Sequence, residues 1–257
     1  MAYADALLAV LAAPDEDAKA AALAGLVPPG DGHTWTVPPL PVRPGRPAHY
    51  VEGVLPRRRK TLAQPAARLV FLHSLHHIEL SAVDLAVVAA LRGSGQPAAW
   101  HADCLAVARE EALHAQLVAA LIRARGQRPG DLPVHFQLWD ACRACADLGE
   151  HLAVVPRLLE GRGLDAAQEL LPRLANHDPE AHAVLARIYA DEIGHVAVGT
   201  RWHHAWCAAH GLDPAAHLAA SAQRVLGGRL RGPGAADLDG RRRAGFTPAE
   251  LALVAAG

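Results

Sequence analysis

Two short motifs in the sequence combine a carboxylate and an imidazole at a spacing that suits metal binding. Glu111 is followed three positions later by His114, and Glu192 is followed in the same way by His195. On an α-helix, residues three apart lie on one face, one turn apart, so each pair could bind one metal ion. Helical bundles that hold two iron or manganese ions use such a pair twice, and two other helices each add one Glu.

Candidates for these two further carboxylates stand upstream at matching places. The interval from Glu79 to Glu111 is the same as the interval from Glu160 to Glu192. One common offset therefore relates all three positions of the first half to those of the second, as a duplicated pair of helices would require. The sequence predicts a dimetal site with the ligands Glu79, Glu111, His114, Glu160, Glu192 and His195.

This set of donors indicates which metals the site would hold. Carboxylate oxygens and imidazole nitrogens suit iron or manganese better than a thiolate site would. We therefore expect two Fe ions, or Mn with Fe, and O2 as co-substrate. The alternative is that Glu111 and Glu192 are surface partners of Arg109 and Arg187. Both motifs lie among apolar residues, where carboxylates without a metal are costly to bury, so we favour the metal site.

Four other residues could support the ligands. A metal-bound His commonly donates its second ring N–H to an acceptor, and Glu110 and Asp191 each directly precede a predicted Glu ligand. For both, the alternative is an acid that faces solvent. His76 lies one turn before the first ligand and could bind metal, hydrogen-bond the site or be a core histidine. Tyr189 could transfer electrons or gate the site.

Composition limits the class of protein. Hydrophobic residues make up 51% of the 257 residues and are mostly helix-favouring Ala and Leu. The formal net charge of −1 gives no global attraction to nucleic acid or to anionic membranes. We find no uncharged apolar run of about 18 residues and no basic start typical of a signal peptide. We therefore expect a cytoplasmic protein with an unidentified substrate, and we leave an electron donor and a homodimer open as partners.

The four cysteines include one C-x-x-C pair, Cys142 and Cys145. No second pair completes a four-ligand zinc site, and the helical surroundings differ from the βαβ context of a redox motif. We expect buried, reduced thiols.

Helices must position all these residues, and we find no convincing strand. A proline-rich strap at 27–60 is expected to be extended, and its run of Arg57-Arg58-Arg59-Lys60 reads as solvated charge, with phosphate contact as the alternative. We predict an all-α fold with N-terminal helices and strap at 1–60, an antiparallel four-helix bundle at 61–211 and a helical extension at 212–257. The predicted helices cover about 3–13, 15–26, 62–92, 97–125, 136–174, 178–211, 213–227 and a last stretch from 247.

Depth along the helices tests the ligand set. Glu79 and Glu111 lie at nearly equal distances in sequence from the turn between the first two long helices. At ~1.5 Å per residue, both reach the same level of an antiparallel pair. The first half of the site is therefore consistent with a helical hairpin.

Glu160 is the least regular ligand position. Gly161, Gly163 and Pro156 all disfavour a regular helix around it. Either the third long helix is distorted there, as π-bulges beside functional sites are, or the helix stops at Gly161 and Glu150 is the ligand. The offset that the two halves share favours Glu160.

Five stretches carry a resemblance to known proteins: HIEL at 77–80, REEALH at 109–114, VPRLLEGRGLD at 155–165, DEIGHV at 191–196 and AGFTPAEL at 244–251. They resemble a bacterial family of unknown function with a ferritin-like fold, related in fold to diiron enzymes that include tRNA-modifying hydroxylases. The resemblance covers nearly the whole chain and implies a ferritin-like bundle with the same metal positions, but no substrate. It departs at Asp84, where we expect Glu, at Phe136, where we expect Asp, and over 229–243.

Together these features predict a diiron oxidase or oxygenase that activates O2 to oxidise or hydroxylate an unknown substrate. The alternatives are a ferroxidase or other iron-handling protein, a tRNA-modifying hydroxylase, and a metal-free scaffold. The arginine runs at 57–59 and 241–243 are the only support for tRNA, and the near-neutral charge disfavours nucleic acid as a partner.

Overall fold

The structure is a computed structural model that describes residues 2–53 and 62–257. Among these residues there is no β-strand, although Glu52 and Val134 form one isolated bridge. The prediction of an all-α chain is therefore confirmed. The helices, with one π-helical segment, are α1 Tyr3–Ala12, α2 Glu16–Ala24, α3 Pro65–Arg92, α4 Ala98–Ala124, α5 Gln137–Ala144, α6 Leu148–Leu152, π1 Ala153–Leu159, α7 Glu160–Ala175, α8 Pro179–His210, α9 Pro214–Leu226, α10 Leu238–Arg243 and α11 Pro248–Ala256.

The chain divides into two compact units, and each is described by itself. The first unit comprises Met1–Trp139 and Asn176–Val184, and the second comprises Asp140–Ala175 and Leu185–Gly257. The boundaries between the units fall inside α5, at the end of α7 and inside α8. The division into 1–60, 61–211 and 212–257 follows the order of segments along the chain, and it stays a prediction.

The first unit is built on the long pair α3 and α4, with α1 packed on α3 and α2 packed on α4. Helix α3 begins with Pro65 in its first turn, where proline's missing N–H costs nothing, and Gly93 caps its C-terminal end. A Cβ at Gly93 would lie 2.1 Å from the indole Nε1 of buried Trp100. Glycine therefore lets the start of α4 pack closely against the end of α3.

The segment between α2 and α3 contains no helix in the part that the structure describes. The backbone N–H of Trp35 donates to Ser94 Oγ at 2.8 Å, and its indole donates to the Leu91 carbonyl at 3.0 Å. The indole of Trp139 donates to the Val42 carbonyl at 3.1 Å. These bonds hold the segment against helix ends of its own unit. The predicted solvated run 57–60 lies outside the described residues.

Asp84 on α3 is the centre of a buried ionic cluster in the first unit. Lys19 Nζ lies 2.7 Å from Asp84 Oδ1, and Arg46 Nη1 lies 2.8 Å from Asp84 Oδ2. Lys19 and Asp84 are both fully buried. This cluster ties α2 and the following segment to α3. Asp84 is therefore part of the packing of the first unit and is not a surface acid.

The second unit contains the segment whose regularity the sequence left open. The expected long helix from 136 is interrupted after Ala144, and α6 then starts under a cap in which Asp147 accepts the N–H of Glu150. From Leu148 the backbone runs through α6, π1 and α7 to Ala175, so the expectation of a π distortion is confirmed. The alternative end at Gly161 is wrong, because α7 continues through that glycine.

Most other predicted helix bounds agree with the structure to within a few residues, including the proline starts of α8, α9 and α11. Helix α10 was not predicted, because its sequence LDGRRR carries glycine and three consecutive arginines. Its side chains nevertheless matter to the packing of the second unit.

Helix α3 is long and apolar enough to cross a membrane by length and composition. However, 89% of its most apolar 18-residue window is buried inside the structure. A core helix of a soluble protein has the same properties. The burial of α3 fits that role and agrees with the expectation of no membrane span.

Replacing Asp84 with Ala should lower the free energy of unfolding by about 3–5 kcal/mol, because two buried cations lose their counterion. Urea denaturation monitored by circular dichroism measures this change. Glu169→Ala is the matched control, since its ion pair with Arg173 is largely exposed and should change stability by less than ~1 kcal/mol. Equal effects of the two substitutions would contradict the importance of the Asp84 cluster.

Candidate metal centre

Three of the predicted ligands come together in the first unit. Glu79 lies on α3, and Glu111 and His114 lie one turn apart on α4. His114 Nδ1 is 3.4 Å from Glu79 Oε2 and 3.4 Å from Glu111 Oε2. All three side chains are buried. We call them the first triad. Their proximity agrees with the equal depth predicted for Glu79 and Glu111.

The spacing of the ligand atoms suits a metal ion. Metal–ligand bonds of ~2.1 Å at tetrahedral or octahedral angles separate the ligand atoms by about 3.0–3.4 Å. The two distances in the first triad, both 3.4 Å, fall at the upper end of this range. Two carboxylate oxygens and an imidazole nitrogen are also donors that iron and manganese accept.

Electrostatics in the first triad favour a bound cation. Burial opposes protonation of His114, but hydrogen bonds and charges from Glu111 and Glu79 outweigh burial and raise the pKa of His114 to about 11. Two carboxylates and one imidazolium still carry a formal charge of −1. A divalent ion that replaces the imidazole proton would bring the triad to neutrality.

The second unit holds the other three predicted ligands. Glu192 and His195 lie one turn apart on α8, are both buried, and place Oε2 and Nδ1 3.7 Å apart. Glu160 is the first residue of α7 and is half-buried, with its Oε2 atom shielded from solvent. We call Glu160, Glu192 and His195 the second triad, a set that the spacing in the sequence defines. Each unit thus contributes one Glu and one Glu-x-x-His pair to the predicted ligand set.

The π-helical turn determines the backbone at Glu160. Its N–H bonds to the carbonyl of Val155, five residues back, as in a π-helix. Pro156 lies inside this turn and has no N–H to contribute to a regular helix. The sequence features that made Glu160 irregular therefore produce the π segment that precedes it.

Glu150, the alternative ligand, has a different role. Its carboxylate forms an ion pair with Arg224 and accepts the backbone N–H of Ala146 at 2.6 Å. It therefore joins α9 to the turn before α6. This arrangement favours Glu160 in the predicted ligand set.

The surface alternative for the two motifs disagrees with the structure. Arg109 donates to the backbone carbonyls of Leu23 and Leu26. Arg187 lies 3.6 Å from Asp191. Glu111 and Glu192 are buried, unlike surface partners.

The four supporting candidates lie in different surroundings. His76 is buried and lies 3.2 Å from Glu16 Oε2, so it is bound by an acid of α2. Glu110 is exposed, as its solvent-facing alternative required, and Asp191 is partly exposed. Tyr189 donates to Asp237 Oδ2 at 2.7 Å, and burial together with this bond raises the pKa of Tyr189 to about 12. These contacts join Tyr189 to the segment before α10.

A second group with metal-binding residue types was not predicted from the sequence. His203, Cys207 and His217 offer ligand atoms within 4.8 Å of one another. Arg157 Nη1 lies 2.7 Å from His203 Nδ1. Because arginine only donates, His203 Nδ1 must accept, and its protonated Nε2 donates to His217 Nδ1 at 2.9 Å. His203 therefore presents N–H where a metal would need a lone pair.

The group His203, His204 and Glu250 also has its hydrogen bonds and charges satisfied by protein groups. Burial and the charge of Arg157 lower the pKa of His203 to about 2, so this imidazole is neutral. Glu250 Oε1 is 2.8 Å from Arg157 Nη2 and 3.0 Å from His204 Nε2. Arg157 supplies the positive charge that a metal would otherwise bring.

All four cysteines are free and buried, as predicted. Cys142 Sγ lies 3.6 Å from His151 Nδ1, and Cys145 Sγ lies 3.4 Å from the Ala141 carbonyl. The C-x-x-C pair is part of the core of the second unit.

Comparisons with known proteins give a family but no function. The family described as "Protein of unknown function (DUF455)" matches residues 10–252. A relative from Haemophilus influenzae, named "Uncharacterized protein", is 36% identical over 202 residues, which cover 75% of this chain and 69% of the relative. No solved structure matches the chain.

The bond between Glu16 and His76 predicts a dependence of stability on pH. Burial raises the pKa of Glu16, but His76 and Arg123 outweigh it and lower this pKa from 4.5 to about 2. The carboxylate therefore stabilises the fold above pH ~4.5, and this contribution is lost as the pH falls towards 2. Urea denaturation should show wild-type protein more stable than Glu16→Gln at pH 5, with the difference shrinking towards pH 2.

Glu52→Gln serves as the control, because the side chain of Glu52 is 55% exposed in its pair with Arg43. A stability difference between Glu16→Gln and wild type that stays constant from pH 5 to pH 2 would contradict the proposed contact.

Proposed function

The chain belongs to the DUF455 family, and we propose that it is a non-haem dimetal carboxylate protein. It uses two iron ions, or manganese with iron, to activate O2 for oxidation or hydroxylation of a substrate that remains to be identified. The finer fold in this proposal is a ferritin-like antiparallel four-helix bundle, which rests on the repeated motif and on the resemblance. The ligands are Glu79, Glu111, His114, Glu160, Glu192 and His195.

The first triad is the single observation that carries the proposal. Two carboxylates and an imidazole, drawn from two different helices, are buried with ligand atoms at metal-compatible distances. Burying charged groups is costly unless a counter-charge compensates them. The second triad has the same residue types at the same spacing in the sequence, which supports two ions in place of one.

When bound, two ferrous ions supply electrons for the reduction of O2. The residues of the chain bind and orient. The carboxylates of Glu79 and Glu111 would neutralise metal charge, and His114 would offer a nitrogen lone pair once a bound cation replaced its proton. Leu80, Ala108 and Ala112 are buried neighbours in sequence that limit the access of water to this part of the unit. Exclusion of water protects a reactive oxidant from side reactions.

The tRNA-modifying alternative loses part of its support. Arg241 is fully buried in an ion pair with Asp165, and Arg242 Nη1 is 3.0 Å from Asp239 Oδ1. At least one of the three arginines at 241–243 is thus unable to reach phosphate. The iron-handling alternative uses the same ligands. Only the reaction of the iron-loaded protein with O2 and with excess iron distinguishes it from substrate oxidation.

Metal analysis tests the site directly. Protein expressed with iron and purified without chelators should contain close to two metal ions per chain, measured by plasma mass spectrometry. The double variant Glu111→Ala with Glu192→Ala should lose both ions, because each triad loses a carboxylate. Glu110→Ala is the matched control, since this residue is exposed one position away, and it should keep both ions. Retention of both metal ions by a folded double variant would contradict the proposal.

Iron loading separates oxidation of a substrate from storage. Anaerobic protein that is given two ferrous ions per chain and then O2 should consume O2 in a single turnover. With excess iron, it should form no mineral. Continued uptake of excess iron into a mineral core, followed by light scattering and electron microscopy, would favour the iron-handling alternative. Tight RNA binding with a steep salt dependence would favour the tRNA alternative.

A further inference from the structure

The segment that carries Glu160 is a weak helix by itself. Pro156 interrupts the hydrogen-bond ladder, and Gly161 and Gly163 add backbone freedom. A change of π1 to α-helical pairing would shift the register by one residue and rotate Glu160 by about 100° relative to α6. Contacts from elsewhere in the second unit must therefore fix the direction of this side chain.

The first such contact lies three residues before Glu160. The Arg157 guanidinium is fully buried, and Nη2 lies 2.8 Å from Oε1 of Glu250, a buried residue of α11. The guanidinium also lies over the Phe246 ring, 4.3 Å from its centroid. Glu250 is in turn held by the capping box of α11, where its Oε2 accepts the Thr247 N–H at 2.8 Å. The last helix thereby anchors π1.

The second contact lies five residues after Glu160. Asp165 accepts from both terminal nitrogens of Arg241, a fully buried residue of α10, and from the Asp237 N–H at 2.7 Å. A Cβ at Gly161 would lie 3.0 Å from Arg241 Nη2. The glycine next to Glu160 thus makes room for the guanidinium that anchors the start of α7.

A third contact seats π1 on α8. A Cβ at Gly199 would lie 2.4 Å from Cβ of Pro156, so glycine at this position allows the proline ring to pack against α8. Gly199 is one turn beyond His195 on the same helix. The π segment is consequently seated beside the helix that carries the other two residues of the second triad.

We propose that Arg241 and Glu250 are positioning residues, which hold π1 and the start of α7 through Asp165 and Arg157 so that Glu160 can act as a metal ligand. This inference rests on the proposed dimetal function. It assigns to the C-terminal helices α10 and α11 a role in the site, although they carry none of its six ligands. Metal binding at the first triad should be independent of these two ion pairs.

Conservative variants test the positioning role. Arg241→Lys keeps the charge but loses the two-nitrogen contact, and Glu250→Gln keeps the shape and a capping side chain but loses the charge. Arg125→Lys is the matched control, because it weakens the arginine contact to Asp178 in the first unit. Circular dichroism and thermal unfolding confirm that each variant is folded before metal is added.

Titration with Co2+, followed by its visible absorption, measures the dissociation constants of the two ions in the metal-free full-length chain. Arg241→Lys and Glu250→Gln should each raise the dissociation constant of one Co2+ ion about 10- to 100-fold and change its absorption. The dissociation constant of the other ion should stay within about twofold of the wild-type value. Arg125→Lys should leave both unchanged. In a Glu160→Ala background, Arg241→Lys should have no further effect, because the ligand that it positions is already missing.

Hydrogen exchange on the metal-free protein supplies a second measurement. Both variants should speed exchange at 153–165 at least tenfold, with little change in α3 and α4. Two ions bound with unchanged affinity in the variants, or a further loss in the Glu160→Ala background, overturn the positioning role but leave the dimetal site standing. A wild-type chain that binds no Co2+ contradicts the dimetal proposal and the ligand role of Glu160. If, in addition, hydrogen exchange at 153–165 is the same in the variants as in wild type, the anchoring of this segment by the two ion pairs is overturned as well.

Discussion

A carboxylate removed from water needs a compensating positive charge, and this requirement governs the polar interior of both units. Asp84 has Lys19 and Arg46, and Glu16 has Arg123, with His76 as a further hydrogen-bond partner. In the second unit Arg157 compensates Glu250, and Arg241 compensates Asp165. The first triad differs from these clusters, since it pairs two carboxylates with a single imidazole. The proposed metal ion supplies the charge by the same rule.

The compensated clusters also explain how a chain rich in proline and glycine holds a geometry suited to ligands. The ion pairs join segments that are far apart in sequence, such as α2 with α3, or α7 with α10. Each of these two pairs is buried, so removing one partner leaves the other charge without compensation. The segment around Glu160 depends most on such pairs, because its own backbone is the least regular of the ligand-bearing elements.

The first triad was predictable because helix geometry is local and periodic. Residues three apart share a helix face, and equal distances from one turn place Glu79 and Glu111 at one depth. The distortion before Glu160 was also predictable, since proline and glycine disfavour a regular helix, although the choice between distortion and termination was not. The partners of Asp84 and the burial of His203 were missed. Both depend on contacts between distant segments, which periodicity does not encode. Helix α10 was missed because its stability comes from Arg241 and the Asp237 cap, not from helix propensity.

The proposed function requires metal bound at the Glu and His residues of both triads. Crystals of iron-loaded protein, measured on both sides of the iron absorption edge, test this claim most directly. We expect two anomalous difference peaks, bonded by Glu79, Glu111, His114, Glu160, Glu192 and His195. Maps with no iron peak at these side chains, from protein shown to be folded and iron-loaded, would contradict the proposed function.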